Sequence, residues 1–161
     1  MKLILAASIV AACHMLGKSS AYAKKDAISK LDAVMGLLAH IMRRIESSNL
    51  CLAEVIKEYP SEILSKYGFF RAFDGVRMSA AKAWGSGISQ LQLPKEAEDI
   101  LCGLCDGLGL LCREKQLNEL ENANDALAEI KSRMEAEYGK KEKYYGALGA
   151  LFGALAVIVL I

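Results

Sequence analysis

The sequence predicts an all-α protein: an antiparallel bundle of about five to six helices, led by a hydrophobic N-terminal segment and closed by a long helix that continues into a membrane anchor. Three observations carry this expectation. Only two prolines interrupt 161 residues rich in Ala, Leu, Glu and Lys, so helix is favoured nearly throughout. No run alternates β-branched with polar residues, so the pattern of a strand or hairpin is missing. Apolar residues recur every three to four positions through the middle of the chain and become continuous at its two ends.

The first element starts with Met1-Lys2, an apolar stretch from Leu3 to Leu16, and Ala21-Tyr22-Ala23 ahead of Lys24-Lys25. A charged start, a hydrophobic middle and an A-x-A site read as a signal peptide. The same residues, extended through Gly17 to Tyr22, also reach the roughly 20 residues of an uncleaved membrane helix. Residues 1–23 are therefore assigned to a hydrophobic or membrane segment. If both chain ends span, Lys18, Lys24, Lys25 and Lys30 flank one span and Lys140, Lys141 and Lys143 the other, all on the side of the domain. Lys2 and the terminal amine alone lie beyond, and the positive-inside rule then favours a cytoplasmic domain. The alternative is a secreted or periplasmic tail-anchored helical protein with a cleaved leader.

Residues 24–143 are expected to form the soluble bundle. Ile28, Leu31, Val34, Leu38, Ile41 and Ile45 mark the apolar face of its first helix, which Ser47-Ser48-Asn49 ends. A second helix runs through Leu52, Val55 and Ile56 to Tyr59-Pro60, and a third begins at Ser61 and ends near Gly68. A fourth, from about Val76, carries Met78, Ala81 and Trp84 until Gly85-Ser86-Gly87 loosens it. Pro94 is expected at the first position of a fifth that holds Ala97, Ile100, Leu101 and Leu104. After a corner at Gly107-Leu108-Gly109, the last helix shows Leu120, Leu127 and Met134 seven apart with Ala123 and Ile130 a turn on. It passes Lys140, Lys141, Lys143, Tyr144 and Tyr145, an expected membrane interface, into the uncharged residues 146–161. No proline breaks it, so a continuous rod of roughly 70 Å is expected, with residues 144–161 as the anchor.

Little in the sequence points to chemistry. The formal charge of +1 gives no global basic surface for nucleic acid. The five cysteines are odd in number and scattered, which fits reduced thiols; Cys102 and Cys105 have a C-x-x-C spacing but no second pair of ligands, and read as small apolar side chains, with zinc or thiol chemistry the rival reading. Gly103, Gly107 and Gly109 follow no strand and precede no Gly-Lys-Ser/Thr, so they cradle no phosphate. Glu96, Glu98 and Asp99 suit the first turn of a helix, and no serine, histidine and acid form a recognisable triad. No catalytic residue, metal, cofactor or small-molecule substrate is expected. Three docking or structural features stand out instead. Arg113 and Gln116, with Gly107 and Gly109, could latch the corner by bonding exposed carbonyls. Asn124 sits between Leu117 and Lys131 at seven-residue spacing, where a polar group can set register. Phe69, Phe70 and Arg71 offer an aromatic and arginine contact for a partner if part of the cluster stays exposed, core packing being the fate expected of most of the rings.

These residues carry a resemblance. The hydrophobic start and basic junction, Ala80-Ala81-Lys82-Ala83-Trp84, the Gly107-Leu108-Gly109 corner ahead of Arg113-Glu114-Lys115-Gln116, and the run from Lys143-Tyr144-Tyr145-Gly146 through Gly149 and Gly153 into Val157-Ile158-Val159-Leu160-Ile161 resemble the stage III sporulation protein AB family. The resemblance implies a function akin to the platform (F) component of type II secretion: a membrane-anchored helical subunit that docks a separate hexameric ATPase. It implies residence in the mother-cell membrane around the forespore, as part of a channel complex with other membrane subunits. The residues differ from the family's usual pattern at Leu111-Cys112, at Arg44 and at Leu50-Cys51-Leu52.

Overall fold

The computed structural model describes the backbone of residues 2–47, 52–74, 80–104 and 113–160, and their side chains apart from 2–21, 46–47 and 140–160. Among the described residues the chain is helical: α1 (Lys2–Ser47), α2 (Leu52–Lys57), α3 (Glu62–Lys66), a 3₁₀ turn (Phe69–Phe73), α4 (Ala80–Leu91), α5 (Lys95–Gly103) and α6 (Arg113–Leu160). No strand occurs among them. The backbone divides into two compact units, one of Met1–Asp26 with Arg133–Ile161 and one of Ala27–Ser132.

The unit of residues 27–132 holds the core. The apolar faces expected from the sequence are the ones that close on it: Leu31, Val34, Leu38 and Ile41 from α1, and Leu120, Ala123, Leu127 and Ile130 from α6, are all buried. Asp32 of α1 pairs with Lys131 of α6, whereas Gly36 and Ala39 share a groove with Asn124, so the two helices run antiparallel here. Short elements fill the space beside them. Ser61 caps α3 by accepting a hydrogen bond from the Leu64 amide at 3.3 Å, and Gly68 ends that turn at φ 80°, a left-handed conformation suited to glycine.

The centre of this packing is aromatic. Phe69 is fully buried, with the rings of Phe70 and Phe73 each 5.4 Å away and that of Trp84 5.7 Å away and nearly perpendicular. Edge-to-face pairs of this kind add about 0.5–1.5 kcal/mol each beyond the area they bury. The Trp84 indole N–H donates to the Leu101 carbonyl at 2.8 Å, which joins α4 to α5 and satisfies the one polar atom of a side chain only 1% exposed.

Three expectations are corrected by this packing. Gly85-Ser86-Gly87 does not loosen α4, which stays helical to Leu91; at Gly87 the helix meets Phe69, and a side chain there would stand in the way. Pro94 occupies the position before the first helical residue of α5 instead of the first position itself; its ψ of 138° is extended, and its carbonyl accepts from the amides of Ala97 and Glu98. Lys30 is not a boundary charge: it is buried, with its ammonium 3.9 Å from the centre of the Tyr67 ring. A cation held over an aromatic face keeps part of the attraction it gives up in leaving water.

In the other unit, the Lys24 ammonium meets the Glu137 carboxylate at 2.6 Å, and Tyr22 is exposed. Among the described residues no helix is long and apolar enough to cross a membrane. The segments assigned to the membrane from the sequence, residues 3–22 and 144–161, have helical backbone within α1 and α6 but lie almost wholly outside the described side chains, as do Lys140, Lys141, Lys143, Tyr144 and Tyr145.

Candidate functional site

A groove of about 630 Å³ opens between α1, the connection from α2 to α3, and α6, entirely within residues 27–132. Its position follows from two short breaks in the helical pattern. Tyr59-Pro60 stops α2, since a residue ahead of proline is turned away from helix and proline brings no amide, and Ser61 at once caps the next turn. The connection is held against α1 by shape: the Tyr59 hydroxyl sits so close to Gly36 that a Cβ there would come within 2.3 Å of it, and the Tyr59 ring tilts against His40 at 5.4 Å. An ion pair between Arg44 and Glu58 fastens the same connection from the solvent side. Both partners are substantially exposed, so the pair is worth well under about 1 kcal/mol and chiefly sets geometry.

The groove is rich in acceptors. Asp32 and Glu62 bring carboxylates, both exposed, and no lysine or arginine lines it; Lys131 reaches Asp32 from beside it. Asn124 lines it from α6, and its Oδ1 is covered without accepting a hydrogen bond; the Nε2 of His40 is in the same condition. An unmet buried polar atom costs about 1–3 kcal/mol. The register-setting hydrogen bond expected of Asn124 is thus not made by its Oδ1.

The other residues singled out from the sequence fall in different places. Phe69 is part of the core and presents no surface to a partner, Phe70 is half-buried, and Arg71 is exposed. Gly107 and Gly109 lie outside the described residues; Arg113 is exposed at the first position of α6 and Gln116 is half-buried one turn on. Cys102 is half-buried on α5, and burial pushes its thiol above the ordinary value, helped by the Glu98 and Asp99 carboxylates on the same helix. Such a thiol is a weaker nucleophile and metal ligand at neutral pH than an ordinary one. Cys105 lies outside the described residues, and among them no three His, Cys, Asp or Glu side chains cluster as a metal site would require. The packing roles of Gly36, Gly87, Tyr59 and Lys30 were not found by sequence reasoning. Their signal is three-dimensional, because each matters through a residue from 18 to 37 positions away, and helical spacing carries no trace of it.

Fold and surface together define an all-helical domain with an aromatic core, a groove lined by acceptors, and polar groups spent on packing and fastening. The chain belongs to the stage III sporulation protein AB family, whose sequence profile matches residues 2–161. No curated protein and no solved structure matches it.

Proposed function

We propose that the protein is a non-enzymatic, membrane-anchored platform component of the mother cell to forespore channel complex, which docks a separate hexameric secretion-type ATPase and contacts other membrane subunits. The observation that carries this reading is the family match over residues 2–161, which takes in both hydrophobic ends as well as the helical unit between them. In this reading residues 144–161 anchor the chain, Lys140, Lys141, Lys143, Tyr144 and Tyr145 sit at the headgroups, and the helical unit faces the mother-cell cytoplasm. Arg71, exposed beside the half-buried Phe70, offers one contact for a partner, and Arg113 with Gln116 steadies the start of α6. The work of such a subunit is positional: it presents a surface and holds it at a fixed place on the bilayer. Support for an uncleaved N-terminus comes from α1, which stays helical through Ala21-Tyr22-Ala23, and from the Lys24–Glu137 ion pair that ties the residue after this site to α6.

Membrane fractionation of sporulating cells tests the anchor. The full chain should resist alkaline carbonate extraction, a chain lacking residues 144–161 should be released far more readily, and N-terminal sequencing should return Met1. Equal retention of the truncated chain, or a mature chain starting at Lys24, would refute the anchor or the topology respectively. Co-purification with the ATPase encoded beside it should survive mild detergent, and its loss at physiological salt would refute the docking role.

A further inference from the structure

We propose that Lys18 on α1 and Lys140, Lys141 and Lys143 on α6 make a single basic collar that recognises anionic phospholipid headgroups. The proposal rests on the membrane-anchored reading and adds to it which lipids surround the anchor.

Residues 1–26 and 133–161 form one compact unit, so the outer parts of α1 and α6 lie alongside each other. The Lys24–Glu137 ion pair, at 2.6 Å, fixes which levels of the two helices meet. From this contact, Lys18 lies six residues toward the start of α1 and Lys143 six residues toward the end of α6, about 9 Å along each axis at 1.5 Å per residue. The two positions therefore come level, although they are 125 residues apart in the chain. Each is also the last charge on its helix before a long apolar run: neither residues 3–17 nor residues 144–161 include an Asp, Glu, Lys or Arg. Two boundaries between charged and apolar sequence thus coincide, as a membrane surface crossing both helices at one height requires.

Charge and exposure indicate what lies at that height. Between the ion pair and the level of Lys18 and Lys143, the two helices carry five lysines, at 18, 24, 140, 141 and 143, against Glu137 and Glu142. That local excess of positive charge is larger than the +1 of the whole chain. In the same span of α1, Tyr22 is 67% exposed, the large apolar side chain left in solvent among the described residues. A headgroup layer suits such a residue, since it takes the ring at the acyl boundary and leaves the hydroxyl in water. Lysine ammoniums beside an apolar run attract anionic headgroups without a preformed pocket. A partner for this collar must offer negative charge and hydrocarbon within about one residue's rise of each other. An anionic bilayer surface does so, whereas an acidic protein or a free phosphate does not.

Reconstitution of the full-length chain into phosphatidylcholine bilayers, with spin-labelled lipids as probes, tests this by electron spin resonance. Spin-labelled phosphatidylglycerol should be held at the protein about threefold or more over spin-labelled phosphatidylcholine, and the preference should fall as salt is raised. Lys18→Gln should lower the preference, Lys140→Gln/Lys141→Gln/Lys143→Gln should lower it further, and all four together should abolish it. Lys95→Gln/Lys115→Gln, exposed in the unit of residues 27–132, should leave it unchanged. Unaltered circular dichroism and Trp84 emission show that the variants fold. Equal association of the two lipids, or a preference untouched by the four substitutions, would overturn the proposal. So would Lys18→Gln without effect while the triple variant removes the preference, since α6 would then act alone, and so would displacement of phosphatidylglycerol by inorganic phosphate. A chain that resists alkaline carbonate in pure phosphatidylcholine yet shows no lipid preference refutes this inference alone; a chain washed from those bilayers refutes the anchor, and the collar with it.

Discussion

Replacing Gly87 with alanine should leave the protein no more stable or destabilise it, although the same change two residues earlier should stabilise it. In a helix interior, Gly→Ala is worth about 0.8–1.0 kcal/mol in favour of the folded state. At Gly85 nothing lies within 4 Å of the added Cβ, so Gly85→Ala should realise most of that gain. At Gly87 the Cβ meets Phe69 at 2.8 Å from Cδ2, 3.0 Å from Cε2 and 3.1 Å from the carbonyl oxygen, all inside the 3.4 Å at which ordinary contact begins. Phe69 has little room to retreat, since it is fully buried and flanked by Phe70, Phe73 and Trp84, and its carbonyl belongs to the backbone. Overpacking of this kind costs about 1–3 kcal/mol, which leaves Gly87→Ala between neutral and about 2 kcal/mol destabilised. The two variants should therefore differ by about 1–3 kcal/mol, or by several degrees in Tm at about 4 °C per kcal/mol for a chain of this length. Urea unfolding followed by the emission of the sole tryptophan, Trp84, reports directly on this packing. Gly87→Ala as stable as Gly85→Ala would refute the claim that close approach of Phe69 is what requires glycine there.

Trp84→Phe should cost about 2–4 kcal/mol, because it leaves the Leu101 carbonyl without its buried donor and opens a cavity beside Phe69; thermal unfolding followed by circular dichroism measures it. Alkylation of Cys102 by iodoacetamide, followed peptide by peptide with mass spectrometry, should rise at higher pH in the folded chain than in urea, and Glu98→Gln should move the folded profile toward the unfolded one. The sign for stability follows: the folded state favours the protonated thiol, so the contribution of Cys102 is intact below the unfolded thiol's value near about 8.5 and is lost as pH rises through the folded value. A folded chain that alkylates as readily as the unfolded one at every pH would contradict the burial and the two carboxylates together.

Much of the fold was legible because helices write their inner faces in the local spacing of apolar residues. Leu31, Val34, Leu38 and Ile41, and again Leu120, Ala123, Leu127 and Ile130, were expected to face inward and do so. The helical class, the caps at Ser61 and Gly68, and the extent of the last helix are local properties of the same kind. The sequence also holds the family resemblance that the profile match establishes over residues 2–161. What tertiary structure alone decided is where distant residues meet. Glycine at positions 85 and 87 reads identically as a helix loosener until one of them is found against Phe69 and the other in open space. Lys30 looks like any basic residue on a helix until Tyr67 covers it, and Asp32, Tyr59, Glu62 and Asn124 form one groove only because three separate segments converge. Periodicity fixes which side of a helix is buried, since that depends on near neighbours in the chain; what the buried side touches depends on loop closure and side-chain volume, which no local spacing records.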